Sequence, residues 1–196
     1  MTWTALRREE HFHFPVDAVD YLFGMTVNYR LSYDSITFCA VRLRFSHISA
    51  HLADGSYDKV AGSWRDGRVP EVYSREFIEL IGAIEFGENL RLYGGGHYVY
   101  HIDPGNLFPW MLRAGLEVAY TPPRPSWFHS YFAYDVRLAG GGKPVGNHSF
   151  QGGIKFGAWN GTGIRVFLTY FNGLSPHGEY HDIRISSWGS GFSIDF

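Results

Sequence analysis

The feature that most constrains this chain is a period of two. Over segment after segment, apolar and polar residues alternate singly, as on a strand with one oily face. In 20–31 one face reads Tyr21, Phe23, Met25, Val27, Tyr29, Leu31, and the other Asp20, Leu22, Gly24, Thr26, Asn28, Arg30. In 108–120 Trp110, Leu112, Ala114, Leu116, Val118 and Tyr120 oppose Arg113, Gly115 and Glu117. The same pattern recurs in 126–138, in 163–171 and in the terminal segment around Trp188, Phe192 and Ile194. Turn signals separate these runs. The spacing predicts strands near 20–33, 36–51, 73–87, 89–103, 108–122, 126–140, 146–159, 163–174 and 186–196. Residues 3–14, where alternation is poor, are the candidate for a tenth. Most of these runs exceed the usual soluble strand of about five or six residues.

Composition agrees with strands. The 196 residues include 16 Phe, 13 Tyr, 6 Trp and 24 Gly, an excess that suits sheets better than helices. Net charge is −2, which gives no sign of a nucleic-acid partner. One cysteine, Cys39, excludes an intrachain disulfide framework. No apolar run is long enough for a transmembrane helix. No secretory leader is visible at Met1; export would therefore mean a leader already removed, or a chain that is the C-terminal part of a longer barrel.

A soluble sandwich accommodates the alternation alone. Three further features favour a transmembrane antiparallel up-and-down β-barrel. Aromatic residues bracket the apolar faces, as Tyr21 and Tyr29 or Trp110 and Tyr120, in the manner of interfacial girdles. The opposite faces carry glycine and charges of both signs: Arg42, Arg44, Glu79, Glu85, Arg91, Arg113, Glu117, Asp135, Arg137, Lys155 and Arg165. That mixture suits a salt-bridged, filled lumen. Short connections ("YDS", "FGEN", "TPPRPS", "NGTG") alternate with longer ones over 52–72, 101–109, 139–146 and 173–186. The ending "GFSIDF" resembles the sorting signal of bacterial outer-membrane barrels, which implies a periplasmic Phe196 and external long loops.

One segment breaks the pattern informatively. In "RFSHISAHLADGS" the outward parity of Val41, Leu43 and Phe45 continues as His47, Ser49 and His51. In the next segment Ile78 and Leu80 share a parity with Glu76 and Ser74. A barrel places Ser49, His47 and Glu76 on one external patch above the apolar band. A hydroxyl becomes a nucleophile when a base takes its proton and an acceptor orients that base. Ser49 as nucleophile, His47 as base and Glu76 as orienting group are the candidate catalytic set.

The His-x-Ser pair resembles the motif of outer-membrane phospholipase A and of lipid A deacylases, which act from the membrane-facing surface of a barrel. Ala50 stands where those families carry asparagine. The resemblance implies a lipid-acting serine esterase with outer-membrane lipids as partners. Over most of its length, through "DYLFGMTVNYR", "LRLYGGGHYVYHIDP", "PWMLRAGLEVAY" and "YFNGLSPHGEY", the chain resembles an uncharacterised bacterial outer-membrane β-barrel family. That likeness implies fold and location and no activity.

Other motifs are weaker. His177, Glu179 and His181 in "HGEYH" have a spacing that can bind a metal, and read more simply as loop polar residues. "GGGK" at 140–143 lacks the elements of a phosphate loop and reads as a hairpin. "NGT" at 160–162 is a sequon by letters only. No cofactor is specified, and a calcium requirement stays open. Beside the esterase stands a second expectation: a non-catalytic barrel, either a narrow channel or a structural protein.

Overall fold

The computed structural model describes residues 1–32, 34, 37–139 and 143–196. The turn over 33–36 (Asp34 apart) and the glycines of the "GGGK" reading lie outside them.

Ten strands form one antiparallel sheet: β1 (Thr2–Leu6), β2 (Val16–Ser32), β3 (Thr37–Leu52), β6 (Tyr73–Phe86), β7 (Leu90–Asp103), β8 (Trp110–Tyr120), β9 (Phe128–Ala139), β10 (Val145–Gly157), β11 (Gly163–Leu174) and β12 (Arg184–Asp195). A two-stranded hairpin, β4 (Tyr57–Asp58) and β5 (Ser63–Trp64), decorates the long 53–72 loop. Neighbours in the sheet are neighbours in sequence throughout, so the topology is up-and-down. The sheet curls into a half-barrel, with β1 paired only to β2 and β12 only to β11. Among the described residues no helix is long and apolar enough to cross a membrane, which leaves strands as the only elements that could.

The alternation predicts the strands well and fails at one end. The tenth strand is Thr2–Leu6, not 3–14. A 3-10 turn over Glu10–Phe12, with His11 at φ 58°, interrupts the extended backbone before Pro15. The expected alternation of connection lengths also breaks down between β7 and β11. The 121–127 connection is longer than 140–144, although it joins strands at the end of the short turns.

The parity has a physical consequence. On β2, Phe23, Met25, Val27 and Tyr29 stand on the convex face at over 60% exposure. Leu80, Trp110, Leu112, Tyr120, Leu168 and Trp188 continue that face around the sheet. An uncovered apolar surface of this extent far exceeds the few hundred Å² that a soluble monomer exposes.

The concave face carries the charges. Arg42 and Arg44 meet Glu79, at 3.0 and 3.8 Å. Arg113 and Arg137 hold Asp135, which also accepts a 2.7 Å hydrogen bond from the Tyr93 hydroxyl. Gly115 makes room for that tyrosine: a Cβ there would stand 2.3 Å from the Tyr93 ring. Lys155, 1% exposed, donates to Asp195 (2.6 Å) and to the carbonyls of Trp159 and Gly161 (2.9 Å each). All three of its donors are thereby used, and the 158–162 turn is tied to the last strand.

Towards the opposite end, the interior becomes apolar. Ala50, Tyr73 and Leu107 form a buried cluster with Ile48 and Ile102 against it. The 175–183 loop folds down over this cluster. His177 Nδ1 lies 2.6 Å from Asp20, which is fully buried and also accepts from the Gly178 amide (2.7 Å). Glu179, 1% exposed, accepts from the amides of Leu52 (3.2 Å) and Glu71 (3.4 Å). Arg68 donates to the Glu179 carbonyl and pairs with Asp182 at 2.9 Å.

Candidate functional site

The register of β2, β3, β6 and β7 fixes where the opening polar residues point. Phe23 pairs with His47, His47 with Glu76, and Glu76 with His101. One row further, Tyr21 pairs with Ser49, Ser49 with Ser74, and Ser74 with Asp103. Directly paired residues in an antiparallel sheet share a face. Phe23 and Tyr21 are exposed on the convex side, so both rows lie there too. Just beneath them is an apolar row: Met25, Phe45, Ile78, Tyr98 and Trp110. The sequence-predicted residues Ser49, His47 and Glu76 therefore meet on the outer surface, at the boundary where its apolar character ends.

His47 is the best-held member. Its ring stacks on Phe23 with centroids 4.7 Å apart. Its Nδ1 lies 3.4 Å from Glu76 Oε1, a long hydrogen bond in which the ring N–H donates to the carboxylate. The side chains are 23% and 38% exposed, so the pair is reachable from outside. With Nδ1 turned to the carboxylate, Nε2 is the nitrogen left to take a proton. Ser49 is two residues along the same face, roughly 7 Å away between Cα atoms. Its hydroxyl makes no hydrogen bond among the described residues. His51, next on that face, tilts against Tyr21 with ring centroids 6.1 Å apart.

Acyl-transfer chemistry also needs a donor for the oxyanion. β3 is paired on both sides at Ser49, so its amides serve the ladder. Ser74, whose hydroxyl can donate, is the residue directly opposite Ser49.

Sequence reasoning missed His101 and Asp103. A register shift between Glu76 and Phe77 sets β7 out of simple alternation, so His101 turns outward beside Glu76 although His97 and Val99, of the same parity, are buried. His101 Nε2 is 3.8 Å from Asp103. A bulge leaves no mark in a count of every second residue; the "GGGHYVYHIDP" run held the only hint, two histidines four apart.

The "HGEYH" residues are dispersed by their separate bonds. His177 binds Asp20, Glu179 accepts backbone amides, and His181 lies over Tyr73 with centroids 5.7 Å apart. Among the described residues no group of histidine, cysteine and carboxylate side chains is arranged to hold a metal ion. Burial holds the Glu179 carboxyl above the usual carboxylate range, against the lowering effect of the Glu71 and Leu52 amides.

Fold and patch together define a class: a curled, barrel-like β-sheet with an apolar exterior and charged interior, bearing a polar cluster on its outer face. Within that class, residues 18–196 match the DUF1207 family, described as proteins of unknown function, and the chain belongs to it. No curated protein and no solved structure matches.

Proposed function

We propose that this chain is a bacterial outer-membrane barrel and that its outward patch hydrolyses lipid esters. The membrane reading is supported by the uncovered apolar convex face, which water would penalise at roughly 25 cal/mol per Å² and which a bilayer accommodates. The observation that carries the catalytic reading is the His47–Glu76 contact on that face, with Ser49 on the same parity. A lipid's ester carbonyl reaches this height without leaving the bilayer.

In this reading Ser49 Oγ attacks the ester carbonyl as His47 Nε2 takes its proton. Glu76 stabilises the imidazolium and fixes its tautomer. The Ser74 hydroxyl donates to the developing oxyanion. Collapse of the tetrahedral intermediate expels the alcohol, which leaves with the proton from His47. Water then repeats the sequence on the acyl-enzyme and releases the fatty acid. The resemblance of His47-x-Ser49 to the motif of outer-membrane phospholipase A and lipid A deacylases supports the same chemistry.

The test is mass-spectrometric detection of fatty acid released from phospholipid and from lipopolysaccharide, with calcium supplied. Native protein is expected to release acyl chains and Ser49→Ala to fall to background. Glu76→Gln should lose on the order of a hundredfold or more, because the imidazole is no longer held in the right tautomer. Equal release by native protein and Ser49→Ala would sink the proposal, as would no release by either while both remain folded.

A second reading has its own observation. The inward charges pair between neighbouring strands, as Arg42 on β3 with Glu79 on β6 and Arg113 on β8 with Asp135 on β9, so opposite signs are matched along the concave wall and are not set as a one-sign ring. This favours a structural barrel over a narrow channel if the outer patch is inert.

A further inference from the structure

One interior arginine differs from its neighbours. Among the described residues Arg30, Arg42, Arg44, Arg91, Arg113, Arg137 and Arg165 each have a carboxylate within 4 Å. Arg75 has none. Its partners across the two adjacent strands are Ile48 and Ile102. It makes one side-chain hydrogen bond, donating to the Tyr73 hydroxyl at 3.3 Å, and its buried Nε has no partner. A guanidinium in apolar surroundings without a counter-charge is costly unless something supplies one.

The space in front of it is suited to a ligand. Arg75 lines a cavity of about 500 Å³ on the concave face, within the usual size range of small-molecule sites. Trp3, Leu22, Ile48, Leu107, Met111 and Phe171 give it an apolar wall. Ser175, Pro176 and His181 bring the docked 175–183 loop to its rim. Arg137 also lines it, and its Nε donates to Asp135 at 2.9 Å, so that guanidinium already has a counter-charge.

We propose that this cavity binds a small amphiphile with an anionic head and an apolar tail, its carboxylate on Arg75 and its tail among the aliphatic and aromatic side chains. A carboxylate offers the planar, bidentate match that a guanidinium favours. The site lies on the opposite face of the sheet from Ser49 and does not depend on the esterase reading.

Decanoate is the probe, titrated calorimetrically into the protein in zwitterionic detergent, with decan-1-ol as the uncharged comparison. One saturable decanoate site is expected, retained in Arg75→Lys and in Ser49→Ala. Arg75→Met should weaken it about tenfold or more, the loss of a hydrogen-bonded charge pair. Met111→Trp, which fills the cavity, should weaken it too, and decan-1-ol should bind about tenfold more weakly than decanoate. The proposal is overturned by the absence of a saturable site. Undiminished binding in folded Arg75→Met, or equal affinity for the alcohol, would overturn it as well. Arg75→Lys keeps the charge and so separates loss of the site from loss of the fold.

Discussion

At the scale of single residues, the interior is organised by cations held against carboxylates on neighbouring strands. Lys155 is the extreme case, with two carbonyls and a carboxylate on its ammonium and almost no exposure. Removing one partner of a buried pair costs more than the pair contributes, because the remaining groups stay desolvated. Lys155→Met is therefore expected to cost about 3 kcal/mol. Arg165, which also holds Asp195 at 2.8 Å, offsets part of the loss. Urea unfolding of the refolded protein checks this, and a change under about 0.5 kcal/mol, the range of an ordinary surface substitution, would contradict it. Outside, the same reasoning weighs His47 differently. Its contact to Glu76 is long and partly exposed, so Glu76→Ala should cost little stability, and any large effect should be kinetic.

At the scale of elements, the 175–183 loop behaves as a plug. Gly178 sits where a Cβ would meet the Tyr73 ring at 2.4 Å and the Ala50 side chain at 2.6 Å, so glycine there permits the close seat. Glu179 makes the seat pH-dependent. Its carboxyl is held above the ordinary carboxylate value in the docked state. The docked form therefore binds a proton more readily than the free loop. Docking is strongest below the ordinary carboxylate pKa of about 4.3 and weakens as pH rises through the raised value. Hydrogen exchange at the Leu52 and Gly178 amides should accelerate as pH rises above about 4.3 and through the raised value, beyond the intrinsic base dependence of exchange. Glu179→Gln should remove most of that excess. An equal excess in the variant would overturn the assignment to Glu179.

Much of this architecture could be read from the sequence, and the omissions have physical reasons. The nine long strands follow from a single periodicity because a one-residue slip would turn every apolar side chain inward. The outward placement of His47, Ser49 and Glu76 follows from the same parity. What parity cannot carry is anything that departs from it. The bulge that turns His101 outward inserts a residue silently. The plug is a loop whose His177, Glu179 and His181 find separate partners on β2, β3, β6 and the 53–72 connection. Arg75 is not among the lumen charges read from the sequence, and its lack of a carboxylate depends on which residues the register sets beside it.

At the scale of the whole molecule, the decisive question is what covers the convex face. Val27 lies near the middle of the outward stretch of β2, between Met25 and Tyr29, and is 61% exposed. If that face meets water, an arginine there is an ordinary surface change, worth under about 0.5 kcal/mol in either direction. If it meets hydrocarbon, the charge must be drawn from the bilayer interior, at about 2–4 kcal/mol near the midplane. The expected outcome in lipid vesicles is the larger loss for Val27→Arg, read from the shift in reversible urea unfolding. A matched substitution on the other face separates lipid contact from any intolerance of β2 itself: Asn28→Arg, pointing into the polar interior, should cost much less. Equal, small effects at both positions would mean that the apolar face is left to solvent, and the membrane reading would fall with it.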